Sequence, residues 1–246
     1  MTRFQGKSVL VTGGSRGIGK AIALRFAELG AERVAIGYLR ADGAAAETAR
    51  ELESLGAEAV LLRGNVGDPE RVERLLENAG RPDIVIANAA TGVNRPLLEL
   101  EEKHWDWTMN ANARSLFTLA RRLAPSLAPG TSIVAISSLG ATRVLDDYVL
   151  VGVSKAATEA LVRYLAVELA PLGVRVNAVS AGLVETDALD HFEKREDMLS
   201  QFRSRTPAGR LVMPEEVAAA IVFLAGPASR MVTGAALTVD GGWTAI

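Results

Sequence analysis

The feature that most restricts how this chain can fold is a five-residue apolar run that ends in glycines and passes directly into a helical pattern. Ser8–Thr12 leads into Thr12-Gly13-Gly14-Ser15-Arg16-Gly17-Ile18-Gly19, followed by Lys20-Ala21-Ile22-Ala23-Leu24. Glycines in such a turn let backbone N–H groups and a helix N-terminus approach a pyrophosphate closely. Many glycine-rich turns bind nothing, so the pattern alone is weak. Its position at the head of a series of strand–helix units gives it weight.

That series runs along nearly the whole chain. Short apolar stretches rich in Val and Ile occur at Ser8–Thr12, Arg33–Tyr38, Ala59–Leu62, Ile84–Asn88, Ser132–Ile136, Val174–Val179 and Leu237–Val239. They lack polar alternation, as strands buried on both faces of a parallel sheet do. Between them lie the expected helices Gly17–Leu29, Ala44–Leu55, Pro69–Asn78, Glu102–Leu127, Tyr148–Leu169 and Pro214–Leu224, several of them ended by Gly30, Gly56 or Pro171. The alternation predicts α/β architecture, a doubly wound parallel sheet of Rossmann type, in one domain covering residues 1–246.

Composition removes several classes of function. A net charge of −2 and a pI near 5.8 argue against nucleic acid as a partner. Cysteine is absent, which excludes disulfides and thiolate chemistry, and His104 and His191 stand far apart, so no metal site is expected. The first apolar segment is too short for a signal peptide or a membrane span, and no later stretch reaches span length without charges. The expectation is a cytoplasmic protein with no membrane partner.

The end of the second expected strand bears on which nucleotide would bind. An NAD site commonly places an acid about 20 residues beyond the glycines, to accept from the ribose 2′-hydroxyl. Here Gly37-Tyr38-Leu39-Arg40 stands in that place, with no carboxylate before Asp42. Arg40, with Arg16 in the glycine turn, suits a 2′-phosphate and points to NADPH; the alternative is two solvated arginines.

Further along, Asn88-Ala89-Ala90, Asn112, Ser137-Ser138, Ser154-Lys155 and Val239-Asp240-Gly241-Gly242 follow the glycine turn. Their order and spacing resemble the short-chain dehydrogenase/reductase family, from about Gly6 to Gly242. The resemblance implies that Gly13, Ser15, Arg16, Gly17, Ile18, Gly19, Arg40, Asn65, Val66, Asn88, Ala89, Lys155, Val184 and Thr186 contact the cofactor. It implies that Ser138, Lys155, Asn112 and a tyrosine do the chemistry, the lysine holding the nicotinamide ribose and lowering the tyrosine pKa.

The family's tyrosine stands four residues before the lysine, and here that position is Val151. The available phenol is Tyr148, seven positions before Lys155, or two helical turns along one face. Six intervening residues resemble the enoyl-acyl carrier protein reductases. Ser137–Tyr148, Val151–Ala157, His104–Asn110 and Thr206–Arg210 look most like their NADPH-dependent type III. That resemblance implies trans-2-enoyl thioesters, an acyl carrier protein as substrate carrier, and a homotetramer. Taken singly, each residue also has a structural reading: Tyr148 as helix packing, Lys155 as a solvated lysine, Ser138 as a cap, Asn112 as an internal backbone bond. Further departures are Ala90 and Ala181-Gly182, where the family has glycine and Pro-Gly, and a short Glu70–Gly80 helix.

Residues 183–213 are expected to form a substrate lid. Leu189, Phe192, Met198, Leu199 and Phe202 would give it an apolar wall for an acyl chain, the alternative being an ordinary surface helix pair. Lys194, Arg195, Arg203, Arg205 and Arg210, if clustered, would suit an acidic carrier. Their interleaving with Asp187, Asp190, Glu193, Glu196 and Asp197 favours a solvated mixed face. Two rival readings stand beside enoyl reduction: a 3-oxoacyl or other carbonyl reductase, and a non-catalytic NADPH-binding sensor.

Overall fold

The computed structural model describes residues 4–186 and 195–246. Seven parallel strands form one sheet in the order β3-β2-β1-β4-β5-β6-β7. They are β1 Ser8–Thr12, β2 Arg33–Tyr38, β3 Glu58–Arg63, β4 Ile84–Ala87, β5 Ser132–Ser138, β6 Arg175–Ala181 and β7 Ala236–Val239. The helices are α1 Gly17–Glu28, α2 Asp42–Ser54, α3 Pro69–Ala79, α4 Glu102–Met109, α5 Ser115–Leu123, α6 Val149–Leu169, α7 Arg195–Arg205 and α8 Pro214–Ala225. The single Rossmann-type domain expected from the apolar runs is what the chain adopts.

Alternation along the strands supplies both faces of the sheet. Val9 and Val11 point to one face and join Ile22, Phe26, Ile36 and Ile221 in a core beneath α1 and α8. Leu10 points to the other and joins Val85, Leu116, Leu119 and Val162 beneath α5 and α6. The strand order reverses between β1 and β4, where doubly wound sheets open a crevice at their carboxyl ends.

Two helices differ from their sequence expectation. The long helix expected over Glu102–Leu127 is α4, a π-helical turn Asn110–Arg114, then α5 and a short 3₁₀ turn at Ala124–Ser126. Periodicity cannot register one extra residue in a turn, and such turns gather at functional sites. The helix expected from Tyr148 starts at Val149, leaving Tyr148 as its N-cap residue at φ −114°.

Candidate active site

The glycine turn is shaped by contacts that exclude side chains. A Cβ at Gly19 would collide with the Gly13 carbonyl oxygen, and one at Gly14 would lie 2.7 Å from the Ile36 side chain. Gly13 has φ +67°, and a Cβ there would meet Ala89 Cα and Asn88 Nδ2 at 2.9 Å. Thr12 ties this turn to β4. Its hydroxyl donates to Ile86 O (3.2 Å) and accepts from the Asn88 and Ala89 N–H groups (3.0 and 3.1 Å). The Asn88 amide donates to Thr12 O and Gly13 O at 2.9 and 3.0 Å. Asn88 therefore braces the cradle with its side chain.

The other expected cofactor residues ring this cradle. Ser15 is buried, and its carbonyl accepts from the Thr48 hydroxyl at 3.0 Å. Ile18 is half-buried at the start of α1, and Gly17, at φ +53°, would place a Cβ 3.5 Å from the Thr186 methyl. Val184 is buried and bridges Val212. Asn65 and Val66 follow β3 half-buried; the Asn65 side chain accepts from Gly67 N–H at 2.9 Å, fixing that loop. Arg16 and Arg40 are exposed and form no ion pair among the described residues. Asp42, the next acid along the chain, is 3.6 Å from Arg63. A crevice whose cradle leaves no room for a Cβ at Gly13, Gly14 or Gly19, with two arginines beside it that form no ion pair among the described residues, fits a phosphorylated dinucleotide.

At the reacting end, the carboxyl end of β5 is bound to α6 by three successive residues. Lys155 Nζ donates to Ile136 O at 2.9 Å, Ser137 Oγ donates to Glu159 at 2.5 Å, and Ser138 Oγ lies 3.3 Å from the Tyr148 hydroxyl. Ser138 Oγ also accepts from Gly140 N–H at 3.2 Å, so it caps the short turn that follows β5 as well as meeting the phenol. Burial raises the Tyr148 pKa and the Ser138 bond partly offsets this, so the phenol stays protonated. Lys155 is 7% exposed, and desolvation lowers its pKa to about 8. No carboxylate among the described residues forms an ion pair with it.

Asn112 lies in the π-helical turn, and its amide is fully engaged. It accepts from Thr91 N–H (2.8 Å) and donates to Thr91 O (2.9 Å) and to Ser154 Oγ (2.8 Å). Asn112 thereby braces the β4–α4 loop against α6. Val151 is buried, and a Cβ at Gly92 would collide with its methyl group. The position one turn before Lys155 is thus filled by packing, and Tyr148 carries the phenol. Its ring edge lies where a Cβ at Gly140 would fall, at 2.6 Å.

Sequence reasoning gave no role to Thr12, Ser154 or Glu159, which hold these elements together. Thr12, the last residue of β1 beside β4, was the most readable, because a buried hydroxyl there needs partners. Of the expected lid, Leu199 is buried with Leu211 against Leu183 and Phe202, and Phe202 stacks on Trp243 at 5.6 Å. Arg203 is 3.8 Å from Glu185, Arg205 lies over the Trp243 ring at 4.7 Å, and Arg210 is held by Glu216 at 2.6 Å. These three arginines are committed to separate internal partners. Asp187, Leu189, Asp190, Phe192, Glu193 and Lys194 lie outside the described residues, as do the side chains of Arg195, Asp197 and Met198.

The comparisons agree with this geometry. The family model described as "Enoyl-(Acyl carrier protein) reductase" matches residues 13–244. A 1-cyclohexenylcarbonyl-CoA reductase from Streptomyces collinus is 36% identical over 239 residues, covering 95% of this chain and 85% of the relative. An L-rhamnose 1-dehydrogenase (NAD(P)(+)) from a Sphingomonas species is 37% identical over 253 residues, covering 98% of each. A crystal structure of a short chain dehydrogenase from Burkholderia cenocepacia in complex with NADP superposes with a TM-score of 0.90 at 36% identity, covering 98% of this chain and 99% of that one.

Proposed function

This chain belongs to the short-chain dehydrogenase/reductase family, and we propose that it is an NADPH-dependent reductase of the Cα=Cβ bond of trans-2-enoyl thioesters, acting in fatty-acid elongation. That it is an oxidoreductase using a nicotinamide cofactor follows from the family. Among the described residues no helix is long and apolar enough to cross a membrane. We further propose a cytoplasmic homotetramer, as the family resemblance implies.

The observation that carries the enoyl reading is the displaced phenol. Val151 packs against Gly92 one turn before Lys155, and the hydroxyl that meets Ser138 belongs to Tyr148, a further turn away. Ketone reduction needs its proton donor on the oxygen of the carbon receiving hydride. Reduction of an enoyl thioester separates the two: hydride adds at Cβ, while charge develops on the carbonyl oxygen three bonds away. A donor displaced by one turn suits that oxygen.

The glycine cradle would hold NADPH, with Arg16 and Arg40 for its 2′-phosphate, and the bound cofactor would supply the hydride. Tyr148, neutral because burial raises its pKa, donates its O–H to the developing enolate oxygen, with Ser138 orienting the phenol. The resulting enol then takes up a proton at Cα and releases one from oxygen, giving the saturated thioester. Lys155 commits one N–H to Ile136 O, leaving two donors for ribose hydroxyls. Asn112 positions the lysine's helix through Ser154. The Streptomyces relative's name contains a double bond conjugated to a thioester carbonyl, which supports this reading. Carbonyl reduction is the second reading, favoured by the equally similar rhamnose dehydrogenase.

Following NADPH oxidation with crotonyl thioester and with acetoacetyl thioester separates the two. Enoyl reduction should dominate, and Tyr148→Phe should lower kcat by roughly 10²–10⁴ with NADPH affinity retained. Turnover confined to the oxoacyl substrate would overturn the reading, as would an unimpaired Tyr148→Phe.

A further inference from the structure

A cleft of about 270 Å³ opens beside the Tyr148 ring, between the loop after β4 and the start of α6. Its walls are apolar and largely uncovered: Leu97 is 69% exposed and Val144 98%, with Val153 on α6 completing them. Two arginines stand in the same lining, Arg95 and Arg143. Arg95 has no hydrogen bond or ion pair among the described residues. Arg143 donates only to main-chain oxygens, those of Thr142 (3.4 Å) and Thr244 (3.0 Å). The acid in the lining is Asp147, which has no ion pair among the described residues. Glu101, which lies within the electrostatic reach of Arg95, is itself bound by Lys103 at 2.7 Å. Two cations against one carboxylate leave the cleft with a surplus positive charge.

We infer that this cleft takes the pantetheine arm of the thioester substrate, with its phosphate held by Arg95 and Arg143. The inference rests on the enoyl-thioester reading and adds the residues that recognise the carrier. An acyl-pantetheine thioester has a carbonyl that must reach Tyr148, a flexible arm with methyl groups and amides, and a terminal phosphate. The lining offers, in one place, the Tyr148 ring, an apolar wall and guanidinium forks without carboxylate partners, which are shaped for phosphate oxygens. Carrier-protein and coenzyme A thioesters share this phosphorylated arm. Arg203, Arg205 and Arg210 lie outside this lining, beside Glu185, Trp243 and Glu216.

The test measures KM and kcat for crotonyl thioesters of N-acetylcysteamine (no phosphate), 4′-phosphopantetheine, coenzyme A and acyl carrier protein. Arg95→Ala is the principal variant, because that side chain makes no internal bond. Arg143→Lys is the second, keeping the charge but removing the fork. Each should raise KM about tenfold for the phosphate-bearing thioesters, as expected for one charged hydrogen bond. Neither should change kcat, or change KM for the N-acetylcysteamine thioester. The larger wild-type kcat/KM of coenzyme A or carrier protein then names the natural source. Equal KM changes with and without phosphate, or none, would overturn the inference while leaving enoyl reduction intact. A changed sedimentation coefficient for Arg95→Ala would also overturn it, since the cleft would then be a seat for a second copy of this chain. Failure of the wild type on every enoyl thioester would instead remove the functional reading beneath it.

Discussion

The two ends of this active crevice are built from different materials. At the cofactor end the cradle is backbone: Gly13, Gly14 and Gly19 approach their neighbours so closely that no Cβ fits, and Asn88 bonds to carbonyls of the turn. At the reacting end, Ser138 projects from β5, Lys155 from α6 and Tyr148 from the residue that caps α6, and each is fixed by one or two side-chain hydrogen bonds. A backbone cradle cannot be moved without moving the fold. A side-chain site can shift its phenol by a helical turn, from position 151 to 148, and leave β5 and α6 where they were. Chemistry diversifies where the material is side chain, and cofactor binding persists where it is main chain.

The strongest way to break this contrast is Gly19→Ala. One methyl group would have to displace the Gly13 carbonyl and the Asn88 amide together, and both belong to the main-chain cradle or its brace. NADPH binding, followed by quenching of protein fluorescence, should be lost, and Tm should fall. Retained binding would show that the cradle yields as readily as a side chain.

Lys155→Met sharpens the contrast from the other end. Its folded pKa of about 8 lies below the ordinary 10.5 because burial penalises the charge. Below pH 8 the folded chain carries that penalty in full. Between pH 8 and 10.5 the unfolded chain binds more protons, so stability rises with pH across that window. Methionine removes the penalty and should stabilise the protein at pH 7 by about 3 kcal/mol, with the gain vanishing above pH 11. Turnover should fall by roughly 10² or more. In the wild type, kcat/KM should decline on the alkaline side with a midpoint near pH 8, as the ammonium is lost. Chemical denaturation at pH 7 and 11, with a pH–rate profile, checks both; a destabilised Lys155→Met would mean the Ile136 bond outweighs desolvation.

The same contrast explains what could be read from the residues alone. Strand order and the glycine cradle follow from local rules, because apolar runs mark buried strands and a crowded turn leaves only glycine. The absence of an acid before Asp42 was equally visible, and Asp42 is indeed committed to Arg63. Which bonds Asn112 makes was not legible. Its role depends on Thr91 and Ser154, 21 and 42 positions away, and on a π-helical turn that inserts one residue into the helical period. The committed state of Arg203, Arg205 and Arg210 was hidden for the same reason: interleaved charges in sequence say nothing about which partner each will find.

The smallest expected effect concerns Asp147, the sole described non-glycine residue at positive φ, +56°, immediately before the phenol. A left-handed aspartate is strained by about 1 kcal/mol, and such strain survives where the surroundings enforce it. Asp147→Gly removes the strain but enlarges the unfolded ensemble, by about 0.4–1 kcal/mol in the opposite direction. The two nearly cancel, so Tm should move by no more than a few degrees. Function should move more than stability. With glycine the main chain before Tyr148 gains freedom, and among the described residues the phenol's one hydrogen bond is to Ser138 at 3.3 Å. A two- to fivefold lower kcat with unchanged NADPH affinity is about the expected result for one loosened hydrogen bond. Asp147→Val, which tolerates positive φ poorly, should cost both stability and turnover. If both variants matched the wild type in kcat, the packing against Gly140 would suffice to aim the ring, and the reacting end would be as firmly built as the cofactor cradle.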